Sequence, residues 1–320
     1  MRLCRFSLDE LILTGFYADD HVIPIDQASE AYCEDLGVEL LLPTTEDLLD
    51  LLPPEGYSSH AVVELAKWVD GLDADARAEL SLPIESVQLL IPIGHPKKIF
   101  LLAGNYARHV AEGGERVVSR RETFPHVFLK PPTTTLTHPG DPIVLPAMSP
   151  DHIDWECELG VVIGRACRDV DEVEALDYVA GYTIVNDISD RKFALPDAIR
   201  TRERDPYFRW LMGKWHDTFC PVGPCVLSAD AVADPQALAI QLTVNGEVKQ
   251  DATTAEMIFP VAAIVSFLSR FVTLEPGDII ATGTPSGVGA ASDTFLKPGD
   301  VVRAMIVGIG YLENPVESEC

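Results

Sequence analysis

The sequence predicts an α+β fold rich in short, mainly antiparallel strands, with a small α+β segment at its N-terminal end. The first observation is a turn signature: Pro-Gly-Asp occurs three times, at 139–141, 276–278 and 298–300, and runs such as Ile279-Ile280 and Val301-Val302 follow almost at once. Proline sets φ for a turn and glycine supplies φ > 0, so each copy reads as a turn feeding a strand. The copies are too short and too irregularly spaced for a repeat fold. The second observation is strict alternation over 154–163, where Trp155, Cys157, Leu159, Val161 and Ile163 share one face of an extended strand and Asp154, Glu156 and Glu158 share the other. The third is a change of composition near residue 92, which divides the chain into a small domain over 1–92 and a larger β-rich one over 93–320.

In the first domain, strands are expected over 3–7, 11–16 and 22–25. A helix over 44–52 is opened by Thr44-Thr45-Glu46-Asp47 and stopped by Pro53-Pro54, and a longer helix covers 58–80. The second domain is read as short strands with helices at 170–177 and 258–271. Within it, the apolar run 180–185 is flanked by Gly181 and ends in Asn186-Asp187, a pattern that delivers one acidic side chain to a sheet edge.

At 320 residues and 47% apolar content the chain has ample material for a core. No apolar stretch reaches the roughly 18 residues of a membrane span, and Met1–Phe6 lacks the apolar core of a signal peptide, so a cytoplasmic protein with no membrane partner is expected. Seven cysteines with no Cys-x-x-Cys pair argue against a disulfide framework and a zinc site. The net charge of −26 excludes nucleic acid as a partner, since that needs basic patches to meet phosphate. The same charge opposes an anionic substrate, so a small-molecule carboxylate would need a local positive centre.

Glu156, Glu158 and Asp187 are candidates for that centre. Like charges on neighbouring same-face positions repel, and a hard divalent cation with oxygen ligands, Mg²⁺ or Mn²⁺, relieves the repulsion. A solvated acidic face and an Asx turn at Asp187 are the bland alternatives. In 104–114, His109 and Glu112 are three apart, so on a helical turn they share a face and the carboxylate can orient the imidazole as a general base. A solvated surface pair is the alternative there, and Gly113-Gly114 with the charged stretch to Arg121 suits a segment that is loose without ligand. Lys130, amid Phe128, Leu129, Pro131 and Pro132, needs a partner for its charge. The glycine-rich 283–289 lacks the Gly-Lys-Ser/Thr ending of a phosphate loop and reads as a turn between strands.

Glu156-Cys157-Glu158, the run Tyr178 to Asp187, Met257-Ile258-Phe259, the run Leu274 to Ile280 and the run Thr282 to Gly289 together resemble the fumarylacetoacetate hydrolase family, over roughly residues 95 to 316. The resemblance implies a mixed, mainly antiparallel β-roll, a homodimer, and Mg²⁺ or Mn²⁺ held by Glu156, Glu158 and Asp187. It also implies a His109/Glu112 dyad on a lid, Lys214 as a catalytic lysine facing an oxyanion, and Tyr106, Lys130, Arg191 and Thr284 as substrate contacts. Lys192, Ala194 and the insertion at 200–205 depart from the family pattern and bear on substrate identity. The activity implied is hydrolysis of a carbon–carbon bond in a 2,4-diketo acid or acylpyruvate. Oxaloacetate decarboxylation and dienoate isomerisation or tautomerisation are alternatives on the same site, and a non-catalytic binding module or a phosphoesterase is an alternative of another class.

Overall fold

The computed structural model describes residues 1–193 and 202–319. Its spine is a 12-stranded sheet running Leu82–Pro83, His21–Pro24, Leu11–Tyr17, Arg2–Leu8, Cys220–Ser228, Val179–Asn186, Cys157–Ile163, Ile279–Ala281, Ile99–Ala103 and His126–Leu129, with Gln88–Leu90 and Leu136–Thr137 paired beside Arg2–Leu8 and Cys220–Ser228. Pairing is antiparallel except where Ile279–Ala281 meets Ile99–Ala103 and Cys220–Ser228 meets Leu136–Thr137. A five-stranded sheet of Glu247–Thr253, Ala239–Val244, Val301–Ile306, Gly310–Ser318 and Ile143–Leu145 packs against it. The mixed, mainly antiparallel α+β architecture is the expected one. Arg2–Leu8 pairs with Cys220–Ser228, so the first 92 residues extend the central sheet rather than form a sheet of their own.

All three Pro-Gly-Asp copies turn as expected. Gly140, Gly277 and Gly299 have φ of 84°, 86° and 91°, and the strands Ile143–Leu145, Ile279–Ala281 and Val301–Ile306 follow them. The alternation over the central strand also sorts the core. Trp155, Cys157, Leu159, Val161 and Ile163 join the cluster that includes Ile240, Leu242 and Ile306 of the second sheet, while Val162 joins Leu3, Leu48 and Leu65 on the N-terminal side. Each such fully buried aliphatic side chain contributes about 1.5–3 kcal/mol relative to exposure.

Several helices differ from the sequence reading. The 44–52 helix is a single 3₁₀ turn, Leu48–Asp50, because Thr45 and Asp47 bond locally: Thr45 Oγ1 accepts from Asp47 N at 3.0 Å and Asp47 Oδ1 from Leu49 N at 3.0 Å. Such bonds compete with a continuing helix. The 58–80 helix is broken into Ser59–Gly71 and Ala74–Leu80, where Asp73 caps the second piece by accepting from Ala76 N at 2.9 Å. A helix absent from the sequence reading, Ile25–Leu36, follows Pro24 and ends at left-handed Gly37, both ordinary boundary signals. The 170–177 helix reduces to a 3₁₀ turn, Ala175–Tyr178, and 258–271 contracts to Val261–Ser269 after Pro260. Among the described residues no helix is long and apolar enough to cross a membrane.

Candidate active site

The acidic run is not one strand. It splits into Ile153–Asp154, paired with Ser189–Asp190, and Cys157–Ile163, with Glu156 at the bend between them. The acidic face is not solvated either: Asp154, Glu158 and Asp187 are fully buried and Glu156 nearly so. Asp187 follows the strand Val179–Asn186, which pairs with Cys157–Ile163 so that Cys157 faces Asn186. Asp187 N donates to Glu156 O at 2.9 Å, and Asn186 Oδ1 accepts from Glu156 N at 3.0 Å. This pairing brings oxygens of Glu156, Glu158 and Asp187 within 4.8 Å of one another.

Three cations meet three of the four buried carboxylates. Lys214 Nζ donates to Glu156 Oε2 at 2.9 Å and to Asp187 Oδ2 at 2.6 Å. Arg191 donates through Nε to Asp154 Oδ2 at 2.7 Å, and its Nη2 lies 2.5 Å from Glu156 Oε1. Lys130 Nζ donates to the carbonyls of Ile188, at 2.8 Å, and Phe219, and lies 2.6 Å from Asp187 Oδ1 without hydrogen-bond alignment. Burial opposes ionisation of Glu156, but the charges of Lys214 and Arg191 outweigh it and hold that carboxyl well below the usual range. Burial likewise opposes the Lys214 ammonium, and Asp187 and Glu156 outweigh it to raise its pKa.

Glu158 has no such cation. Its Oε2 accepts from Gly283 N at 2.7 Å, and its Oε1 is buried without a partner. Burial, reinforced by the charges of Asp187 and Glu156, raises its carboxyl well above the usual carboxylate range. A buried carboxylate oxygen left bare among two other carboxylates is the environment a hard divalent cation suits, and a set made only of oxygens favours Mg²⁺ or Mn²⁺ over softer ions. The residues present therefore fit the ion.

The dyad forms as the spacing predicts. On the helix Ala107–Glu112, His109 Nδ1 lies 2.9 Å from Glu112 Oε1. Glu112 also accepts from Gly287 N at 3.0 and 3.2 Å through its two oxygens. In the tautomer whose Nδ1 donates to Glu112, Nε2 is left to accept a proton. Both residues line a cavity of about 1400 Å³ that Arg191 also borders. The helix is rooted by Asn105, whose Nδ2 donates to Phe259 O at 3.1 Å and Thr282 O at 2.7 Å and whose Oδ1 accepts from Phe259 N at 2.8 Å.

The other expected contacts are held by bonds within the protein or buried beside the carboxylates. Lys130, like Lys214 and the three carboxylates, is not among the described residues that line the cavity; its ammonium is occupied by two carbonyls and Asp187, so it braces a carboxylate. Thr284 Oγ1 donates to Cys157 O at 3.2 Å and accepts from Gln250 Nε2 at 2.8 Å. Tyr106 is buried with its hydroxyl unpartnered, its pKa raised by burial and then by Glu158. Two of the three Lys214 protons are taken by the carboxylates, and Gly213 allows this approach, since a Cβ there would meet Asp190 O at 2.4 Å. Lys192 points outward, 3.9 Å from Asp293, and Ala194, Arg200 and Thr201 lie outside the described residues.

Two positioning groups escape sequence reasoning. Gln250, in the alternating strand Glu247–Thr253, accepts from Cys157 N at 2.9 Å and donates to Thr284 Oγ1 and Pro285 O at 2.8 Å, stitching the acidic strand to the glycine-rich turn. Nothing local distinguishes it from an exposed strand glutamine. Asp154 accepts from Gly289 N at 2.6 Å and Ala290 N at 3.0 Å as well as from Arg191; its place on the acidic face of the alternation is the signal that could have found it.

Two predictions follow from this geometry. Gly287 has φ of 101°, and a Cβ there would lie 2.0 Å from Lys249 O. Gly287→Ala is expected to cost about 1–3 kcal/mol in chemical denaturation and, by loosening Glu112, roughly tenfold or more in turnover; unchanged turnover would show that Glu112 needs no such anchor. Beyond Asn105 and Glu112, the segment 105–123 meets the body through the exposed ion pairs Arg108–Glu256, at 3.9 Å, and Arg120–Glu172, at 2.8 Å, each contributing about 0–1 kcal/mol. Its amide hydrogens are expected to exchange several-fold more slowly once oxalate and Mg²⁺ are added, and equal exchange with and without them would mean that it is no lid.

Residues 98–317 match the fumarylacetoacetate (FAA) hydrolase C-terminal family. The chain is 40% identical over 233 residues, 72% of its length and 69% of the relative's, to the oxaloacetate tautomerase fahd2, mitochondrial, of Xenopus laevis. Maleylpyruvate hydrolase from Sphingobium sp. SYK-6, solved with manganese(II) and pyruvate, superposes over both whole chains with a TM-score of 0.71 at 30% identity. The 5-carboxymethyl-2-hydroxymuconate delta-isomerase of Mycobacterium smegmatis does so with a TM-score of 0.69 at 30% identity. With the family match spanning most of the chain and a relative 40% identical over more than two thirds of both proteins, the chain belongs to the fumarylacetoacetate hydrolase family.

Proposed function

We propose that the protein is a divalent-metal-dependent hydrolase that cleaves the carbon–carbon bond of an acylpyruvate or related 2,4-diketo acid. The observation that carries this reading is the His109/Glu112 dyad bordering the same cavity as Arg191, which is bonded to the carboxylate cluster. Glu156, Glu158 and Asp187 would hold Mg²⁺ or Mn²⁺, and when bound the ion supplies Lewis-acid polarisation of the substrate's carboxylate and 2-oxo oxygens. His109 Nε2, free because Nδ1 is held by Glu112, takes a proton from water as the water oxygen adds to the distal acyl carbon. The bond from that carbon to C3 of the pyruvate unit then breaks, its electron pair passing to C3, which takes up a proton. The products are a carboxylic acid and pyruvate. Lys214 keeps one uncommitted proton to meet negative charge developing on the acyl oxygen. Arg191, buried and charged, meets the substrate's negative end, and Lys130 holds Asp187 in place.

A second reading is keto–enol tautomerisation of oxaloacetate, favoured by the name of the Xenopus relative. It needs only the proton-transfer half of the same machinery, with His109 moving a proton at C3. Pyruvate release from acetylpyruvate and benzoylpyruvate under Mg²⁺ or Mn²⁺, measured beside the decay of oxaloacetate enol absorbance, separates the two. Pyruvate release in proportion to substrate consumed supports hydrolysis. Enol decay without any pyruvate from either acylpyruvate would overturn it in favour of tautomerisation.

A further inference from the structure

We infer that the substrate carries a bulky, uncharged, aryl-sized group on its acyl carbon; this rests on the acylpyruvate reading and narrows it. The cavity at His109 and Arg191, about 1400 Å³, exceeds the roughly 300–1,000 Å³ usual for small-molecule sites. Beyond the dyad its walls carry aromatic side chains in two groups, set among aliphatic residues such as Leu129, Leu211 and Val272. Phe267 stacks on Phe124 with ring centres 6.3 Å apart and meets Phe271 edge-on at 5.2 Å. Trp210 meets Phe128 edge-on at 4.9 Å and lies 5.9 Å from Tyr207. Flat apolar walls of this kind favour an aromatic or broad aliphatic guest through offset or edge-to-face packing.

The charges of the cavity point the same way. Among the described lining residues Arg191 is the sole lysine or arginine, and Asp154 and Glu156 already engage it. Glu112 and Glu115 add negative charge to the wall. A second carboxylate at the far end of the substrate would meet aromatic rings and like charge, a costly placement for an ion. The lysine beside those rings among the described residues, Lys214, is already bonded to Glu156 and Asp187. A small acyl group such as acetyl would leave the aromatic walls unpaired.

Binding separates this inference from the reading beneath it. With Mg²⁺ present, titration calorimetry on the full chain compares 2-oxobutanoate, 2-oxo-4-phenylbutanoate and 2-oxoadipate, none of which has the second carbonyl needed for cleavage. The phenyl compound is expected to bind about tenfold or more tightly than 2-oxobutanoate, and 2-oxoadipate more weakly than the phenyl compound by a similar factor. In Phe124→Leu/Phe267→Leu the phenyl preference is expected to fall several-fold. Equal affinities, or a preference for 2-oxoadipate, would overturn the inference, as would a double variant that changes oligomeric size in light scattering while keeping the phenyl preference. Pyruvate release from benzoylpyruvate is read in parallel: its absence from every acylpyruvate would remove the hydrolase reading, while the calorimetry still decides whether the cavity selects an aryl group.

Discussion

Glu158→Gln is expected to abolish stabilisation by divalent ions and to lower turnover by about 10³-fold, the several kcal/mol that a Lewis acid supplies to developing charge. The parent should lose melting temperature on EDTA treatment and regain it with Mg²⁺ or Mn²⁺, because an ion that binds only the folded state stabilises it by linkage. The variant should melt at one temperature in both conditions. Without metal it should be at least as stable as the parent, since the substitution removes a buried charge that has Asp187 and Glu156 for neighbours. The parent's pH dependence follows from the same group. Its folded carboxyl is raised above the ordinary value, so metal-free stability is fully present below about pH 4.3, the unfolded pKa, and is lost as pH rises toward the folded pKa. The gap between melts with Mg²⁺ and with EDTA should therefore widen with pH, and a gap that is constant from acid to neutral pH in the parent, or persists in Glu158→Gln, would remove Glu158 from the metal site.

His109→Ala is expected to lower acylpyruvate hydrolysis by about 10²-fold or more, the usual worth of a general base, while sparing oxaloacetate decarboxylation by comparison. Addition of water requires a proton to be taken from it, and Nε2 of His109 is the acceptor left free by the Glu112 contact. Loss of CO₂ requires only that charge be accepted at the pyruvate end, with a proton delivered later. Tautomerisation is a proton transfer, so it should fall with hydrolysis. The control is the Mg²⁺-dependent melting shift, which should survive because His109 is not among the carboxylate ligands. If that shift is intact and hydrolysis is untouched, the dyad is a hydrogen-bonded pair without a catalytic part, and the base lies elsewhere.

Much of the fold and of the site is legible in local pattern, because the responsible forces act over a few residues. The Pro-Gly-Asp turns work through backbone preferences of proline and glycine alone, and all three glycines have the positive φ that the reading requires. The alternation of Trp155, Cys157, Leu159, Val161 and Ile163 decides which face is buried, and those residues share one core cluster. The spacing of three between His109 and Glu112 is enough for a helical turn to join them. Local pattern fails where short polar side chains compete with the helix, as at Thr45 and Asp47, and where a cap interrupts a helix, as at Asp73. Long-range facts needed the tertiary structure. Only strand pairing could set Asp187 beside Glu156, and only burial on both sides of the central sheet could turn a solvated acidic face into a closed site. Lys130 and Thr284, expected as substrate contacts, also bond groups distant in sequence, Ile188, Phe219 and Asp187 for one and Gln250 and Cys157 for the other. The aromatic cavity assembles from segments around residues 124–128, 207–215 and 267–272, whose proximity no local preference encodes. The sequence by itself therefore determined which carboxylates and which histidine are available for chemistry, because turns and alternation are local. Which of them lack a partner, and what kind of group lies beside them, was decided by contacts between residues far apart in the chain.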